Sequence, residues 1–313
     1  MEKTFLMGSN DFLTRNPSNK ISDTFISNEL KQDLLKICMK EAFSFYENFF
    51  NINSTELDLD MLFENYIEDL EEANSFNLFQ VGGVREKDHV NFWCLSKVLS
   101  PQLYVESGVF IGSSLHAFSK TSTLEKIIAI DPNLNALRIP KQNLPTTEFI
   151  GNQDFSQIEI EDIPENSLAY FDDHINTASR IIQAKQKGFK YLLFDDSTGL
   201  EGVCQRLYPA TPTVPMIVNW EILKPSHVIE WTWSSPVPLK NNLKNRMKKI
   251  MGRSLSNKTR VQLKIDKIMI EQCKEANSLI KQYSKIPDFG EFLPQRIPEG
   301  VIDTTKYIIE LVD

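Results

Sequence analysis

Five short, largely apolar runs of three to five residues recur through the middle of this chain: 103–105, 127–130, 148–150, 167–171 and 191–194. Stretches with helical spacing lie between several of them, notably 113–121 and 175–187, the latter stopping at Gly188, a C-cap residue. Strands this short and this apolar are covered on both faces, so the alternation indicates βαβ units around a parallel sheet. Parallel strands end on one common edge, and open α/β sheets bind their ligands along it.

The residues closing the runs are unusually acidic. Glu106 follows the first, Asp131 the second, Asp172 and Asp173 the fourth, and Asp195 and Asp196 the fifth. After the first run, Glu106-Ser107-Gly108-Val109-Phe110-Ile111-Gly112-Ser113-Ser114 leads into a helix. Gly108 and Gly112 let the backbone approach a ligand, and amides and hydroxyls such as that of Ser113 face it. The loop is neither GxGxxG nor a P-loop, because no lysine follows the second glycine. Asp131 lies 25 residues beyond Glu106 at a strand end, where a carboxylate accepts ribose hydroxyls; a turn or cap role before Pro132 is the alternative. Asn152, Gln153 and Asp154, after the third run, are short polar groups suited to an adenine edge.

Composition narrows the class. With 313 residues, 41% hydrophobic, the chain can bury one large domain or two unequal ones. A net charge of −8 argues against a general nucleic-acid binder. Cys38, Cys94, Cys204 and Cys273 show no CxxC spacing and read as reduced thiols. The first twenty residues lack the apolar core of a signal peptide, and no run approaches the roughly 18 residues of a membrane span. A soluble, cytoplasmic protein without a transmembrane segment is expected.

Around the central runs, residues 1–25 read as a loose polar arm, and 28–50, 58–74 and 87–99 as helices, the second with a solvated acidic face. Residues 227–233 alternate like a strand, and 307–312 form a closing one. The segment between them reads as helical and basic: from Trp231 to Ile265 there is no acid and there are nine Lys or Arg. The expected organisation is an N-terminal arm and helical lid (1–86), a catalytic domain (87–236 and 304–313) and a basic helical insert (237–303).

The loop Glu106–Ser114 together with Asp131 resembles the class I S-adenosylmethionine-dependent methyltransferases over about 104–233 plus the last strand. The resemblance implies a Rossmann-like α/β fold: a seven-strand, mostly parallel sheet with helices on both faces, extra N-terminal helices, a helical insert before the last strand, and that strand reversed. It also implies that Glu106, Gly108 and Gly112 hold the methionine part of the cofactor and Asp131 its ribose. Asp172-Asp173-His174 with Asp195-Asp196 is similar to the metal site of the catechol, macrocin and cephalosporin-cluster O-methyltransferases. That likeness implies Asp172, Asp195 and Asp196 as ligands of a divalent ion, magnesium being the natural choice for hard oxygen donors. Which of Asp172 and Asp173 would coordinate stays open, with Asp172 preferred, and both pairs have an alternative role as turn or helix caps.

His174, with Asp173 beside it, is the candidate catalytic group, because an imidazole accepts a hydroxyl proton at neutral pH. No lysine follows the Asp-His pair, unlike the catechol pattern, so a lysine base there is disfavoured. The implied reaction is methyl transfer to a hydroxyl of a sugar, glycan or glycosylated natural product, anionic if the basic segment meets it. A non-catalytic binding protein on the same scaffold, a nicotinamide-dependent oxidoreductase and a homo-oligomeric state are the open alternatives.

Overall fold

A computed structural model describes residues 4–6, 25–52, 58–79, 84–197, 211–236, 256–291, 293 and 305–313. Strands β1 (Thr4–Leu6) and β2 (Phe25–Ser27) pair antiparallel, so the expected loose arm holds one ordered piece. Three helices follow: α1 (Asn28–Phe50), α2 (Leu59–Ser75) and α3 (Glu86–Leu99). Ser27 caps α1 by accepting the Leu30 N–H, and Asp58 caps α2 by accepting those of Asp60 and Met61. These side chains satisfy amides that have no partner within the first turn.

The expected alternation then begins: β3 (Leu103–Ser107), α4 (Ser113–Ser119), β4 (Lys126–Ile130), β5 (Thr147–Ile150), β6 (Leu168–Phe171), α5 (Thr177–Lys187) and β7 (Tyr191–Ser197). Gly188 ends α5 in the left-handed region at φ 101°, as its position suggests. Beyond β7 come α6 (Val214–Val218), β8 (Val228–Pro236), β9 (Ser256–Lys264), α7 (Lys267–Ser278), β10 (Ile280–Lys285) and β11 (Thr305–Leu311).

Seven strands form one sheet in the order β10-β11-β7-β6-β3-β4-β5. β3 to β7 run parallel, while β11 is antiparallel to both β7 and β10. The mostly parallel seven-strand sheet with a reversed last strand is therefore present, but two details differ from expectation. The strand preceding the last one is β10, not 227–233, which pairs instead with β9 in a separate antiparallel hairpin. Within the basic stretch, residues 256–264 are a strand; the helix before the last strand is α7. The alternation of 227–233 signals an extended chain but not its partner, because a period of two is common to a sheet strand and a hairpin. The remainder of the basic run lies outside the described residues.

Successive residues of each central strand face opposite covers. Tyr104, Ile127, Ala129, Leu168, Tyr170, Leu193 and Ile308 join a buried cluster with residues of α1 to α4. Val105, Ile128, Ala169, Phe171, Leu192, Phe194 and Ile309 join a second cluster with α5, α6 and α7. The N-terminal helices thus share the core of one sheet face. The acidic face of α2 is only partly solvated: Asp69 accepts the Trp93 indole N–H at 2.8 Å, and Glu72 pairs with Lys120.

Leu192 and Leu193 are both fully buried on opposite faces of β7. Truncating either to alanine should lower the unfolding free energy by roughly 2–5 kcal/mol in chemical denaturation. A loss well under about 1 kcal/mol at one of them would show that its face lacks the cover described, since a large cavity term is then missing.

Candidate active site

The chain runs from β3 outward through β4 to β5, then returns to the other side of β3 for β6 and β7. The strand order therefore reverses at β3 and β6, and the crevice outside their carboxyl ends is where a sheet of this kind takes a ligand. The loop after β3 and the loop after β6 meet there. Gly108 donates to the Ile130 carbonyl at 2.9 Å, and Asp172 donates to that of Ser107 at 2.8 Å. A Cβ on Gly108, whose φ is +96°, would sit 2.3 Å from the Asp172 carbonyl oxygen. Only glycine fits this approach, because the obstacle is backbone. Gly112, φ +91°, would bring a Cβ 2.6 Å from Leu137 Cδ1 at the entry to α4. Gly108 is thus required by the backbone approach, and Gly112 by its positive φ.

Asp131 Oδ2 accepts the amides of Val109 at 2.9 Å and Phe110 at 2.8 Å, and its Oδ1 accepts that of Asn133 at 2.6 Å. A carboxylate offers about four acceptor positions, so about one is left for a ligand hydroxyl with the loop in this position. Phe110, 43% exposed and at φ 47°, carries the loop's outermost side chain. Asn152 and Gln153 are exposed beyond β5.

Glu106 lies beneath the loop. It is fully buried, and its two oxygens accept the hydroxyls of Ser114 at 2.5 Å and Tyr104 at 2.7 Å. It ties β3 to α4 and has no solvent contact from which to touch a cofactor. Ser113 likewise turns inward, donating to the Leu78 carbonyl at 2.5 Å and joining the loop to the segment after α2. Burial raises the Glu106 pKa to about 8, against the lowering effect of the two hydroxyls.

Asp173 and Asp154, expected in catalysis and adenine binding, share one cation that sequence reading missed. Arg180, 1% exposed, donates from Nε to Asp173 at 2.9 Å and from its terminal nitrogens to both Asp154 oxygens at 3.0 and 2.5 Å. Asp173 also accepts from Ser107 Oγ at 2.5 Å and from the Ile175 amide at 3.2 Å. Asp154 caps the short turn 155–157 as well, and the Arg180 hydrogen bonds hold its pKa well below the usual carboxylate range. The pair therefore locks the loops after β3, β5 and β6 together. An arginine with one acid seven residues before it and another 26 before carries no motif, so only the fold reveals the link.

His174 follows directly, partly buried and in the left-handed region at φ 56°. A non-glycine residue held there carries backbone strain, which surrounding structure sustains at ligand sites more often than elsewhere.

At the end of β7, Asp195 Oδ2 accepts from Tyr170 Oη at 3.2 Å and pairs with Lys306 Nζ at 3.3 Å. Lys306 also pairs with Asp88 of α3 at 3.3 Å. Because β11 is reversed, its first residues lie beside the last residues of β7, with Thr305 opposite Ser197 and Tyr307 opposite Phe194. Burial works against the Lys306 ammonium, but Asp195, Asp88 and Asp172 outweigh it and raise its pKa. One of the three expected metal ligands, Asp195, is thus already paired with a lysine; the side chain of Asp196 lies outside the described residues. Among the described residues, no cluster of three or more His, Cys, Asp or Glu is placed to hold a metal ion. A dication beside the ammonium would be repelled by about 4 kcal/mol per unit of its charge at 4 Å and an effective dielectric near 20. Among the described side chains, the place beside Asp195 is already taken by an ammonium.

No family model matches this chain, and no curated protein matches it. Solved structures overlap it in part. One described as cmcI-N160 SAH is 20% identical, with a TM-score of 0.31, over 42% of this chain and 71% of that one. One described as a putative O-methyltransferase from Klebsiella pneumoniae is 11% identical, TM-score 0.37, over 54% and 82%. Cofactor-bound Rv0187 from MTB is 12% identical, TM-score 0.38, over 61% and 89%. These overlaps are too slight to carry a function, which rests on the geometry of this chain. Three of its cysteines, Cys38, Cys94 and Cys273, are buried free thiols, and no described helix is long and apolar enough to cross a membrane.

The Glu106 environment makes stability pH-dependent. Its folded pKa lies above its unfolded value of 4.5, so its contribution is complete below pH 4.5 and is lost as pH rises to about 8. Through that window wild type should lose on the order of 1 kcal/mol per pH unit from this group, and Glu106→Gln should not. Denaturation at pH 5 and pH 8 compares the two slopes; identical slopes would mean that Glu106 ionises normally.

Proposed function

We propose that this chain is an S-adenosylmethionine-dependent O-methyltransferase acting on a hydroxyl of a sugar, glycan or glycosylated natural product. The observation that carries the reading is the glycine loop 108–112 seated on Asp131 at the point where the strand order reverses. A nucleoside laid across that crevice meets Asp131 with its ribose and Asn152 or Gln153 with its base, while the methionine part follows the loop. Glu106 and Ser113 support this loop from below.

In the transfer, the acceptor oxygen attacks the sulfonium methyl carbon in line, the carbon–sulfur bond breaks, and its electron pair stays on sulfur as a neutral thioether. The acceptor's proton goes to the His174 imidazole, the group at this strand end with a suitable ordinary pKa. Asp173 acts through position: bound to Arg180 and Ser107, it holds the turn that carries His174. The divalent ion implied by the sequence likeness has no step in this reading, since Lys306 pairs with Asp195. The basic residues from Lys240 to Lys264 make an anionic acceptor the natural partner.

S-adenosylhomocysteine titrated calorimetrically tests the cofactor half. Wild type should bind it, and Asp131→Ala should weaken binding at least about tenfold through loss of a charged hydrogen-bond acceptor. Unaltered affinity would remove Asp131 from the site. With an acceptor in hand, His174→Ala should lower kcat by about 100-fold or more while leaving cofactor affinity in place.

A further inference from the structure

The metal-like acid edge of this sheet has its own cation. We infer that Lys306 takes the place of a divalent metal at the end of β7, as a positioning residue that makes the site independent of metal. The geometry is specific: one ammonium, 5% exposed, reaches Asp195 and Asp88 at 3.3 Å each, and Asp195 is held in turn by Tyr170. Three elements that do not adjoin in sequence, α3, β7 and β11, meet on this charge.

The reversed last strand is what delivers it. An in-register parallel strand would end at this edge and start at the far one, whereas β11 starts here, so its second residue enters the acid cluster. Asp88 comes from the first turn of α3, whose next-door Lys87 pairs with Asp288 at 2.8 Å and whose Asn91 donates to the Pro287 carbonyl at 2.7 Å. The helix is therefore fastened to residues 287–288 on both sides of Asp88. An ammonium supplies one positive charge and three directed donors; it neutralises and orients carboxylates but leaves no open coordination position for a substrate oxygen. An acceptor hydroxyl would then depend on His174 alone for deprotonation, which is where the inference deepens the methyl-transfer reading and rests on it.

Manganese chloride alone, followed by the EPR signal of free Mn²⁺, tests the assignment in wild type, Asp195→Asn, Lys306→Met and the double variant Lys306→Met/Asp195→Asn. Wild type and Asp195→Asn should bind Mn²⁺ equally weakly. Lys306→Met should bind it at least about tenfold more tightly, the scale on which a site's supporting groups act, and the double variant should lose the gain. Mn²⁺ should also raise the melting temperature of Lys306→Met but not of wild type. One Mn²⁺ per wild-type chain, weakened tenfold or more by Asp195→Asn, would overturn the inference, and so would a Lys306→Met that folds and gains no metal affinity. If Lys306→Met does not fold, the comparison of wild type with Asp195→Asn decides alone. S-adenosylhomocysteine titrated without metal separates the two readings: its failure to bind would sink the methyltransferase proposal and leave the manganese result standing.

Discussion

Parallel strands that end together bring their terminal side chains together, and in this chain those side chains are carboxylates. Unpaired, they would repel one another in a partly desolvated edge, at a cost that burial makes steep. Each is compensated differently. Glu106 lies deepest, where burial raises its pKa to about 8 against the two hydroxyls that donate to it. Asp131 takes three backbone amides. Asp154 and Asp173 divide a buried guanidinium, and Asp195 shares a buried ammonium with Asp88.

These compensations also build the site. Two of the amides on Asp131 belong to the glycine loop, so the loop's shape and the position of that carboxylate are set by the same hydrogen bonds. Arg180 joins loops from three strands, which keeps the crevice from opening as separate flaps. Arginine suits this place because its planar fork serves two carboxylates at once. Lysine suits the β7 edge because a compact ammonium fits between two acids facing it from different elements.

Much of the framework was legible in the chain. Helices 28–50, 58–74 and 87–99 and the five central strands stand close to where their periodicity and turn residues place them, because burial on two faces demands continuous apolar runs and caps mark the ends. The errors came where local pattern was silent about partners. Residues 227–233 alternate correctly for a strand, yet pair with 256–264 outside the main sheet. Position along the chain is also silent about direction: Ser113 and Glu106, beside the glycine loop, both turn into the protein.

The amino-acid sequence by itself determined that acids and glycines would collect on one edge of a parallel sheet, since strand length, apolar content and turn chemistry are local properties. Only the tertiary structure decided what neutralises those acids. Arg180 and Lys306 reach them from 26 and more than 100 residues away in the chain, and no spacing rule connects a helix or a reversed strand to a carboxylate that distant. Read alone, the acids at the β7 edge suggest a metal; the reversed β11 is what brings Lys306 to Asp195, and no local pattern shows that.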